Sequence, residues 1–239
     1  MEDVEKLQKM VDESRRIVFF GGAGVSTESG IPDFRSAGGL YSQSYQYSPE
    51  TIVSHSFFLR HPEDFYRFYR EKMVYPHAKP NPAHLALADW EAKGKLNAVI
   101  TQNIDGLHQA AGSKNVIELH GSVHQNRCMR CRKSYGLDAV LSAPGVPKCS
   151  CGGIIKPEVI LYEEPLEQNV MENAVRAIAD ADMLLIGGTS LSVYPAAGFV
   201  QAFTGKYVAI LNKTPTPMDR QANVVIAAPI GETLQKIFV

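Results

Sequence analysis

Six short apolar runs, separated in several places by helical patterning, constrain the fold of this chain more than any other feature of its sequence. Each run has the length and composition of a buried strand. Alternation of this kind is typical of a parallel sheet with helices on both faces, so we predict an α/β, Rossmann-like fold. The predicted strands are Ile17–Phe20, Ala98–Thr101, Val116–Glu118, Met183–Ile186, Tyr207–Leu211 and Val224–Ala227.

Composition and charge narrow the class of protein. The chain has 239 residues, which suits one large domain or a domain with insertions. Its formal net charge is −1, so no broad electrostatic field favours nucleic acid or a membrane surface. No apolar run approaches the roughly 20 residues that span a bilayer. From Val4 to Val11, apolar residues recur at the spacing of an amphipathic helix. We therefore expect a cytoplasmic protein that binds neither nucleic acid nor membrane.

The four cysteines fall into two close pairs. Cys128 and Cys131 form a C-x2-C pair, and 17 residues separate it from the C-x-C pair Cys149 and Cys151. In a reducing compartment this spacing favours one tetrahedral zinc ion over disulfides. Four thiolates close the coordination sphere, so the metal would be structural and not catalytic. The alternative is four reduced cysteines with a purely structural role.

Two segments interrupt the predicted sheet. The first has no strong strand and carries two helix-start signals, Ser48-Pro49 and Asn81-Pro82, so we predict a small helical insert. The second carries the cysteines. The predicted division is a discontinuous Rossmann-like domain at 1–35, 95–120 and 158–239, a helical insert at 36–94 and a zinc-binding module at 121–157.

A glycine-rich loop follows the first predicted strand. The sequence from Gly21 to Ser36 is GGAGVSTESGIPDFRS, and a strand entering such a loop is typical of phosphate binding by backbone N–H groups. Alone this is a weak signal, because glycine-rich turns also occur for steric reasons. A dehydrogenase would carry an acidic residue for the ribose about 20 residues after the glycines. Here that stretch is GGLYSQSYQYSPE, which disfavours hydride transfer.

Three later strands also end in small polar residues. Gln102, Asn103 and Asp105 follow one predicted strand, and Thr189 and Asn212 follow two others. Ligands bind at the carboxyl ends of strands in open α/β sheets, so these residues predict a nucleotide site. For Asp105 the alternative is a helix cap.

Among the seven histidines, His120 has a distinctive position. It ends the apolar run that starts at Val116, so we expect it at the same sheet edge as the polar loops. Histidine is the commonest general base. A lone histidine is more often structural, so the residues alone leave both roles open.

Together these motifs resemble one family along essentially the whole chain. GAGVSTESGIPDFRS, TQNIDGLH, ELHGS, the four-cysteine module and GTSLSVYPAAG occur in the order typical of the sirtuins, the NAD-dependent protein deacylases, and are similar to the bacterial type. The resemblance implies that NAD is consumed as a co-substrate, that one zinc is structural, and that His120 and Asn103 are catalytic. It implies an NAD site formed by Gly22, Ala23, Gly24, Thr27, Asp33, Phe34, Arg35, Gln102, Asn103, Ile104, Asp105, His120, Gly188, Thr189, Ser190, Asn212 and Ile230.

The resemblance also implies a mechanism. The acyl-lysine carbonyl oxygen attacks C1′ of the nicotinamide ribose and nicotinamide leaves; His120 then acts as general base toward a ribose hydroxyl. Acetyl-lysine, NAD and water would give lysine, nicotinamide and O-acetyl-ADP-ribose. A mono-ADP-ribosyltransferase or a non-catalytic NAD sensor is the alternative, and the intact His120 and Asn103 favour the deacetylase.

The predicted site for acylated-lysine proteins or peptides lies between the zinc module and the sheet, where a peptide would pair as an added strand. Many sirtuins have a glycine before the acid here, whereas this chain has Glu163 and Glu164. Two carboxylates at the mouth of the cleft would favour basic peptides; the alternative is that Glu163 faces solvent. Sirtuins that prefer succinyl-lysine carry a tyrosine and, three residues later, an arginine. Here Tyr66 is followed by Tyr69, so we expect neutral acyl groups; the alternative is that Tyr69 fills the core. The predicted substrate-binding residues are Val159, Ile160, Leu161, Tyr162, Val193, Tyr66 and Tyr69.

Overall fold

The computed structural model describes residues 2–34, 39 and 47–239. Its strands are β1 (Ile17–Gly21), β2 (Leu96–Thr101), β3 (Val116–Glu118), β4 (Gly121–Cys128), β5 (Ser134–Tyr135), β6 (Ile155–Val159), β7 (Met183–Gly187), β8 (Tyr207–Leu211) and β9 (Val224–Ile226). Its α-helices are α1 (Glu2–Glu13), α2 (Pro49–Ile52), α3 (His55–Arg60), α4 (Pro62–Phe68), α5 (Pro82–Ala92), α6 (Leu107–Ala111), α7 (Asp138–Leu141), α8 (Gln168–Ala179) and α9 (Ile230–Leu234). Short 3₁₀ segments lie at Ala23–Val25, Thr27–Ser29, Ala196–Ala202 and Asp219–Gln221, and a π turn lies at Tyr69–Met73.

The main sheet has the strand order β3-β2-β1-β7-β8-β9, and its neighbouring strands are parallel. The strands predicted from the apolar runs are all present, with ends that shift by one or two residues. Strands β1 and β7 occupy the centre and are buried along their whole length. Strands β2 and β3 follow β1 on one side of the sheet, and strands β8 and β9 follow β7 on the other side. Their carboxyl ends therefore form the switch point at which α/β folds bind ligands.

Helices cover both faces of this sheet. On one face α1, α5 and α9 pack against a layer that includes Phe19 and Leu185. On the other face α8 and the segment Ala196–Ala202 pack against a layer that includes Phe20 and Ile186. The N-terminal helix buries its apolar stripe, as its spacing predicts. None of the helices in the described ranges is both long and apolar enough to cross a membrane.

Helix α5 belongs to this main core, although the sequence analysis placed it in the helical insert. Asn81 caps its first turn, as predicted. Ala83, Leu87 and Trp90 are at most 2% exposed and lie in the core of the main sheet. Leu85, on the opposite side of the helix, is 53% exposed. The part of the insert that packs away from the sheet therefore ends before α5, because the buried face of a helix decides which core it joins.

The two insertions share one core and form a second lobe. Strands β4, β5 and β6 make a small antiparallel sheet in the order β5-β4-β6. Helices α2, α3 and α4 pack against it, so that Phe57 and Phe65 of the helical insert lie in the same apolar cluster as Cys128 and Val140 of the zinc-binding module. Ser48 caps α2 with its side chain, as predicted. The cleft between this lobe and the main sheet lies beside the switch point.

Candidate active site

The glycine-rich loop after β1 packs face to face with the loop after β7. The Gly24 N–H donates to Gly188 O at 2.9 Å. A Cβ at Gly24 would lie 2.7 Å from the Gly188 Cα, and a Cβ at Gly188 would lie 2.4 Å from Val25 N. Only glycine at both positions lets the two loops approach this closely. The paired loops form the floor of the cleft, which Gly22, Ala23, Gly24 and Gly188 line.

Ser26 connects the first loop to the polar segment after β2. Its hydroxyl donates to Asp105 Oδ2 at 2.7 Å and accepts from Asn103 Nδ2 at 3.1 Å. Asp105 Oδ1 also accepts from the Leu107 N–H at 2.9 Å, at the start of α6, while the N-cap position is Gly106. The same Asp105 side chain lines the cleft. Ser26 is 1% exposed, and this network holds the Asn103 amide in a fixed orientation.

A second set of contacts closes the far end of the cleft. Gln102 Nε2 donates to Thr189 Oγ1 at 3.1 Å, which ties the end of β2 to the end of β7. Glu28 Oε1 accepts from the Gly231 N–H at 2.9 Å, which ties the first loop to α9. Asn212, after β8, lines the same end. Four strand ends and one helix therefore meet around a single concave surface.

His120 lies beside this surface, immediately after β3. Its Nδ1 is 2.9 Å from the Gln102 carbonyl oxygen. A carbonyl oxygen can only accept, so Nδ1 carries the proton and Nε2 retains its lone pair. Burial lowers the pKa of His120 below its ordinary value, against the opposing effect of the Gln102 hydrogen bond. The imidazole is therefore neutral near pH 7 and can accept a proton from a group in the cleft.

The segment that follows β6 forms one wall of the cleft. The Ile160 N–H donates to His120 O at 2.9 Å, which places this segment beside the histidine. The Tyr162 N–H donates to Val53 O at 3.0 Å, and the His55 N–H donates to Tyr162 O at 3.0 Å. One edge of the segment is thus paired with the protein. A peptide that adds as a strand would pair with the opposite edge.

Both acidic residues after Tyr162 already have partners within the second lobe. Glu163 has a φ of 74°, a left-handed conformation that glycine adopts more readily than glutamate. Its carboxylate accepts from the Ser56 N–H at 2.8 Å. Glu164 pairs with His55 Nδ1 at 2.7 Å and with Lys156 Nζ at 3.1 Å. Both residues line the cleft, but only Glu164 is paired with cationic side chains, so the predicted attraction of basic peptides rests on Glu163.

The cleft has a volume of about 760 Å³, which suits a large cofactor-sized ligand. The predicted site residues that line it are Gly22, Ala23, Gly24, Thr27, Asp33, Phe34, Gln102, Asn103, Ile104, Asp105, His120, Val159, Ile160, Leu161, Tyr162, Gly188, Thr189, Ser190, Val193, Asn212 and Ile230. Arg35, also predicted, lies outside the described residues. Lining residues that the sequence analysis did not single out include Ser26, Glu28, Val53, Met73 and Tyr75. Ser26 could have been found from its place inside the loop motif, whereas Val53, Met73 and Tyr75 reach the cleft only through the packing of the insert.

Tyr66 and Tyr69 do not line the cleft, so the prediction that they contact the acyl group is wrong. Both are 0% exposed and lie in the apolar core of the second lobe. The Tyr66 hydroxyl donates to the Ile155 carbonyl, and the Tyr69 ring stacks on Phe65 with centroids 5.6 Å apart. The helix that carries them turns its aromatic side toward β6. The alternative interpretation, that Tyr69 fills the core, describes its position.

The cysteine cluster lies in the second lobe, where Cys128 and Cys149 belong to the apolar core. The four Sγ atoms lie within 4.8 Å of one another, and the Cys128–Cys151 and Cys131–Cys149 pairs are each 3.5 Å apart. Backbone N–H groups of Arg130 and Cys131 point at Cys128 Sγ, at 3.4 and 3.5 Å. Four thiolates at this separation fit one structural zinc with no open coordination position. The metal would hold the lobe that forms the outer wall of the cleft.

Comparison with known proteins gives the family. The family model described as Sir2 family matches residues 22–195. The chain belongs to the Sir2 family. It is 55% identical over 241 residues to a Clostridium acetobutylicum protein named NAD-dependent protein deacetylase, with 99% of this chain and 98% of that protein covered. It is 56% identical over 242 residues to a protein of the same name from Clostridium perfringens, with 99% of each covered.

Solved structures of the Sir2 family share the fold. A Sir2 structure with deacetylated p53 peptide and 3′-O-acetyl-ADP-ribose matches with a TM-score of 0.90 at 40% identity, covering 98% of this chain and 96% of that chain. A Sir2 structure with p53 peptide and NAD⁺ matches with a TM-score of 0.86 at 40% identity and the same coverage. The sirtuin resemblance and the α/β fold with two insertions are therefore confirmed.

Proposed function

We propose that this chain is an NAD-dependent protein-lysine deacetylase that converts acetyl-lysine, NAD and water into lysine, nicotinamide and O-acetyl-ADP-ribose. One observation carries the proposal. His120 lines the cleft with its Nδ1–H held by Gln102 O, so its Nε2 is presented as a base. The family membership and the deacetylase names of the clostridial relatives support it.

Different residues of the cleft bind different parts of NAD. The paired loops around Gly24 and Gly188 line the part of the cleft that takes the phosphates. Asn103 and Asp105, held by Ser26, meet the nicotinamide ribose and the carboxamide. These side chains are fixed before the ligand arrives, which lowers the entropy lost on binding.

His120 supplies the proton transfer. As a ribose hydroxyl attacks the acyl carbon, His120 Nε2 takes its proton, which the neutral imidazole can do because burial keeps its pKa low. The acyl-lysine lies along the wall formed by Val159 to Tyr162 and opposite Val193. The structural zinc takes no part in the reaction and maintains this wall.

The preference for neutral acyl groups is part of the proposal, on a different basis from Tyr66 and Tyr69. Val53, Met73 and Ile104 line the lobe side of the cleft and offer an apolar surface. A carboxylate brought against such a surface would lose hydration, and Lys72, which lines the cleft beside Met73, already interacts with another group. Acetyl-lysine and succinyl-lysine peptides of the same sequence test this: kcat/KM should be higher for acetyl, and the reverse order would refute the preference.

The central test compares the wild type with His120→Ala on an acetyl-lysine peptide, with and without NAD, by mass spectrometry. The variant should lose about 10²- to 10⁴-fold in deacetylation, the usual contribution of a general base. His77→Ala, at an exposed histidine, is the matched control and should retain full activity. O-acetyl-ADP-ribose should form only when NAD and His120 are both present.

Other outcomes identify the alternatives. Released nicotinamide with every acyl peptide unchanged would indicate ADP-ribosyl transfer, and no NAD consumption with any acceptor would indicate an NAD sensor. The acid limb of kcat/KM against pH should have its midpoint below the ordinary histidine pKa, because burial lowers the pKa of His120. We place this activity in the cytoplasm, since thiolate zinc ligands need a reducing compartment.

A further inference from the structure

Asn81, outside the cleft, makes an unusually complete set of hydrogen bonds. Its side chain is buried, with 5% exposure, at the start of α5. Asn81 Oδ1 accepts from the Ala83 N–H at 2.9 Å and from the His84 N–H at 3.4 Å. The Asn81 N–H donates to His84 Nδ1 at 3.2 Å, which completes a reciprocal capping box. The carbonyl oxygen of the side chain is thus committed to the helix.

The amide nitrogen of the same side chain holds the first cofactor loop. Asn81 Nδ2 donates to Val25 O at 2.7 Å and to Ser29 Oγ at 3.0 Å. Val25 and Ser29 end the two 3₁₀ turns whose other residues, Ala23 and Thr27 among them, line the cleft. Both N–H protons of the buried Asn81 amide are therefore donated to the loop that lines the cleft.

This contact adds to the other anchors of the loop, which include the bonds of Ser26 to Asn103 and Asp105. Gly24 ties the loop to Gly188 at its entry, and Glu28 ties it to Gly231 at its exit. Asn81 holds Val25, between these two anchors, and Ser29, immediately after the second. Because α5 packs on the sheet, the Asn81 side chain links the position of the loop to the main core.

The same helix also supports the segment on the other side of the cleft. His84 and His108 are 0% and 1% exposed, and their ring centroids are 4.6 Å apart. His108 lies on α6, the helix whose first turn is held by Asp105. Helix α5 therefore contacts the supports of both loops that meet the nicotinamide ribose.

We infer that Asn81 is a positioning residue for NAD: it touches no substrate, and it sets the position of the loop from Ala23 to Ser29 through its donated hydrogen bonds. The inference rests on the proposed function only in naming NAD as the ligand. It predicts that loss of the amide weakens NAD binding while the affinity for the acetyl peptide stays unchanged.

Two substitutions separate the helix cap from the loop contact. Asn81→Ser retains a good N-cap but is too short to reach Val25 O, whereas Asn81→Ala loses both functions. For Asn81→Ser we expect the NAD Kd by calorimetry and the NAD KM to rise by about tenfold, the effect of losing buried hydrogen bonds. The peptide KM and kcat at saturating NAD should stay within about twofold of wild type. A loop that is less well positioned lowers the affinity for NAD, and saturating NAD compensates for that loss.

Ser29→Ala tests the same contact from the loop side and leaves the helix cap intact. It should raise the NAD Kd by about two- to threefold, because one of two donated bonds is lost. Ser48→Ala is the matched control: it removes a cap from α2 and should lower thermal stability without changing NAD affinity. Unchanged NAD affinity in both Asn81→Ser and Ser29→Ala would overturn the inference, and if Asn81→Ser does not fold, Ser29→Ala decides.

Calorimetry measures NAD binding without turnover. It therefore distinguishes failure of the proposed function from failure of the inference about Asn81. A wild-type protein that binds NAD but deacetylates nothing would contradict the proposed function and leave the role of Asn81 measurable. A wild-type protein that binds no NAD would overturn both.

Discussion

The two sides of the cleft are built in different ways. On the sheet side, polar groups at strand ends bond to one another across short distances, as Ser26 does with Asn103 and Asp105. On the lobe side, the wall rests on an aromatic core and a cysteine cluster, and its lining residues arrive from segments far apart in the chain. On the sheet side, the local sequence after each strand therefore determines which chemical groups are present, and the hydrogen bonds between them determine their orientation. The shape of the lobe side depends on tertiary packing.

Removing zinc should have the largest effect, and it should fall on the lobe side. Zinc binding contributes about 10–16 kcal/mol in small zinc-finger peptides, more than a small lobe can replace. Cys128 and Cys149 lie in the same core as Phe57 and Phe65, so the helical insert should loosen along with the zinc-binding module. We expect chelation or Cys149→Ser to abolish deacetylation and to expose the lobe to protease, as measured by limited digestion.

The control is Ser150→Ala, at an exposed position between two ligands, which should retain both metal and activity. The main sheet has its own core and should remain protected from digestion after chelation. Full activity in protein shown by elemental analysis to hold no zinc would contradict the structural role of the metal.

Acid should act first on the sheet side, through His84 and His108. Burial lowers the pKa of His84 to about 4, with Asp105 opposing the shift, and lowers the pKa of His108 to about 3, with His84 adding to it. The unfolded chain binds these protons near pH 6.5, so stability is full above that value and falls as pH drops toward the folded pKa values. Between pH 7 and pH 5 the loss should be about 2 kcal/mol for each histidine.

Urea unfolding at several pH values measures this loss. His108→Leu should remove about half of the pH dependence, because it removes one of the two titrating groups and places an apolar side chain in the site beside Phe19. His77→Gln, which changes an exposed histidine, should leave the pH dependence as it is. An unchanged slope in His108→Leu would show that the buried pair is not the source.

Ser26→Ala should have a moderate effect confined to the NAD side. It removes the hydroxyl that orients Asn103 and Asp105, and the loss of buried hydrogen bonds to a charged group should lower kcat/KM for NAD by roughly tenfold. Steady-state kinetics with varied NAD and varied peptide separate the two substrates. An equal loss for both would indicate a general disturbance of the cleft.

The contrast between the sides also explains what the sequence could predict. Strand ends such as Ile100–Thr101 lead directly into their site residues, so Gln102 and Asn103 were placed from their position after an apolar run. Cysteine spacing predicted the zinc cluster because few other arrangements satisfy paired thiolates. These signals are local in the sequence, so they can be recognised without knowledge of the fold.

The failures involve helices, whose periodicity does not say which partner the buried face meets. Helix α5 was assigned to the insert but packs on the main sheet. Tyr66 and Tyr69 were assigned to the acyl pocket but face the lobe core. Asn81 was recognised as a helix cap, and its contact with Val25 needed the fold to bring the two segments together.

The smallest expected effect distinguishes a core residue from a pocket residue on the lobe side. The Tyr69 hydroxyl is buried and has no hydrogen-bond partner among the described residues. Replacing it with hydrogen in Tyr69→Phe removes an unsatisfied polar group and keeps the ring stack with Phe65. We expect thermal stability equal to or slightly above wild type, with a change within about 1 kcal/mol, and an unchanged ratio of kcat/KM for acetyl and succinyl peptides. Tyr66→Phe, which loses the bond to Ile155 O, is the matched control and should lower stability. A changed ratio of kcat/KM in Tyr69→Phe would instead indicate that this side chain contacts the acyl group. It would also show that the lobe core opens to the acyl group during binding.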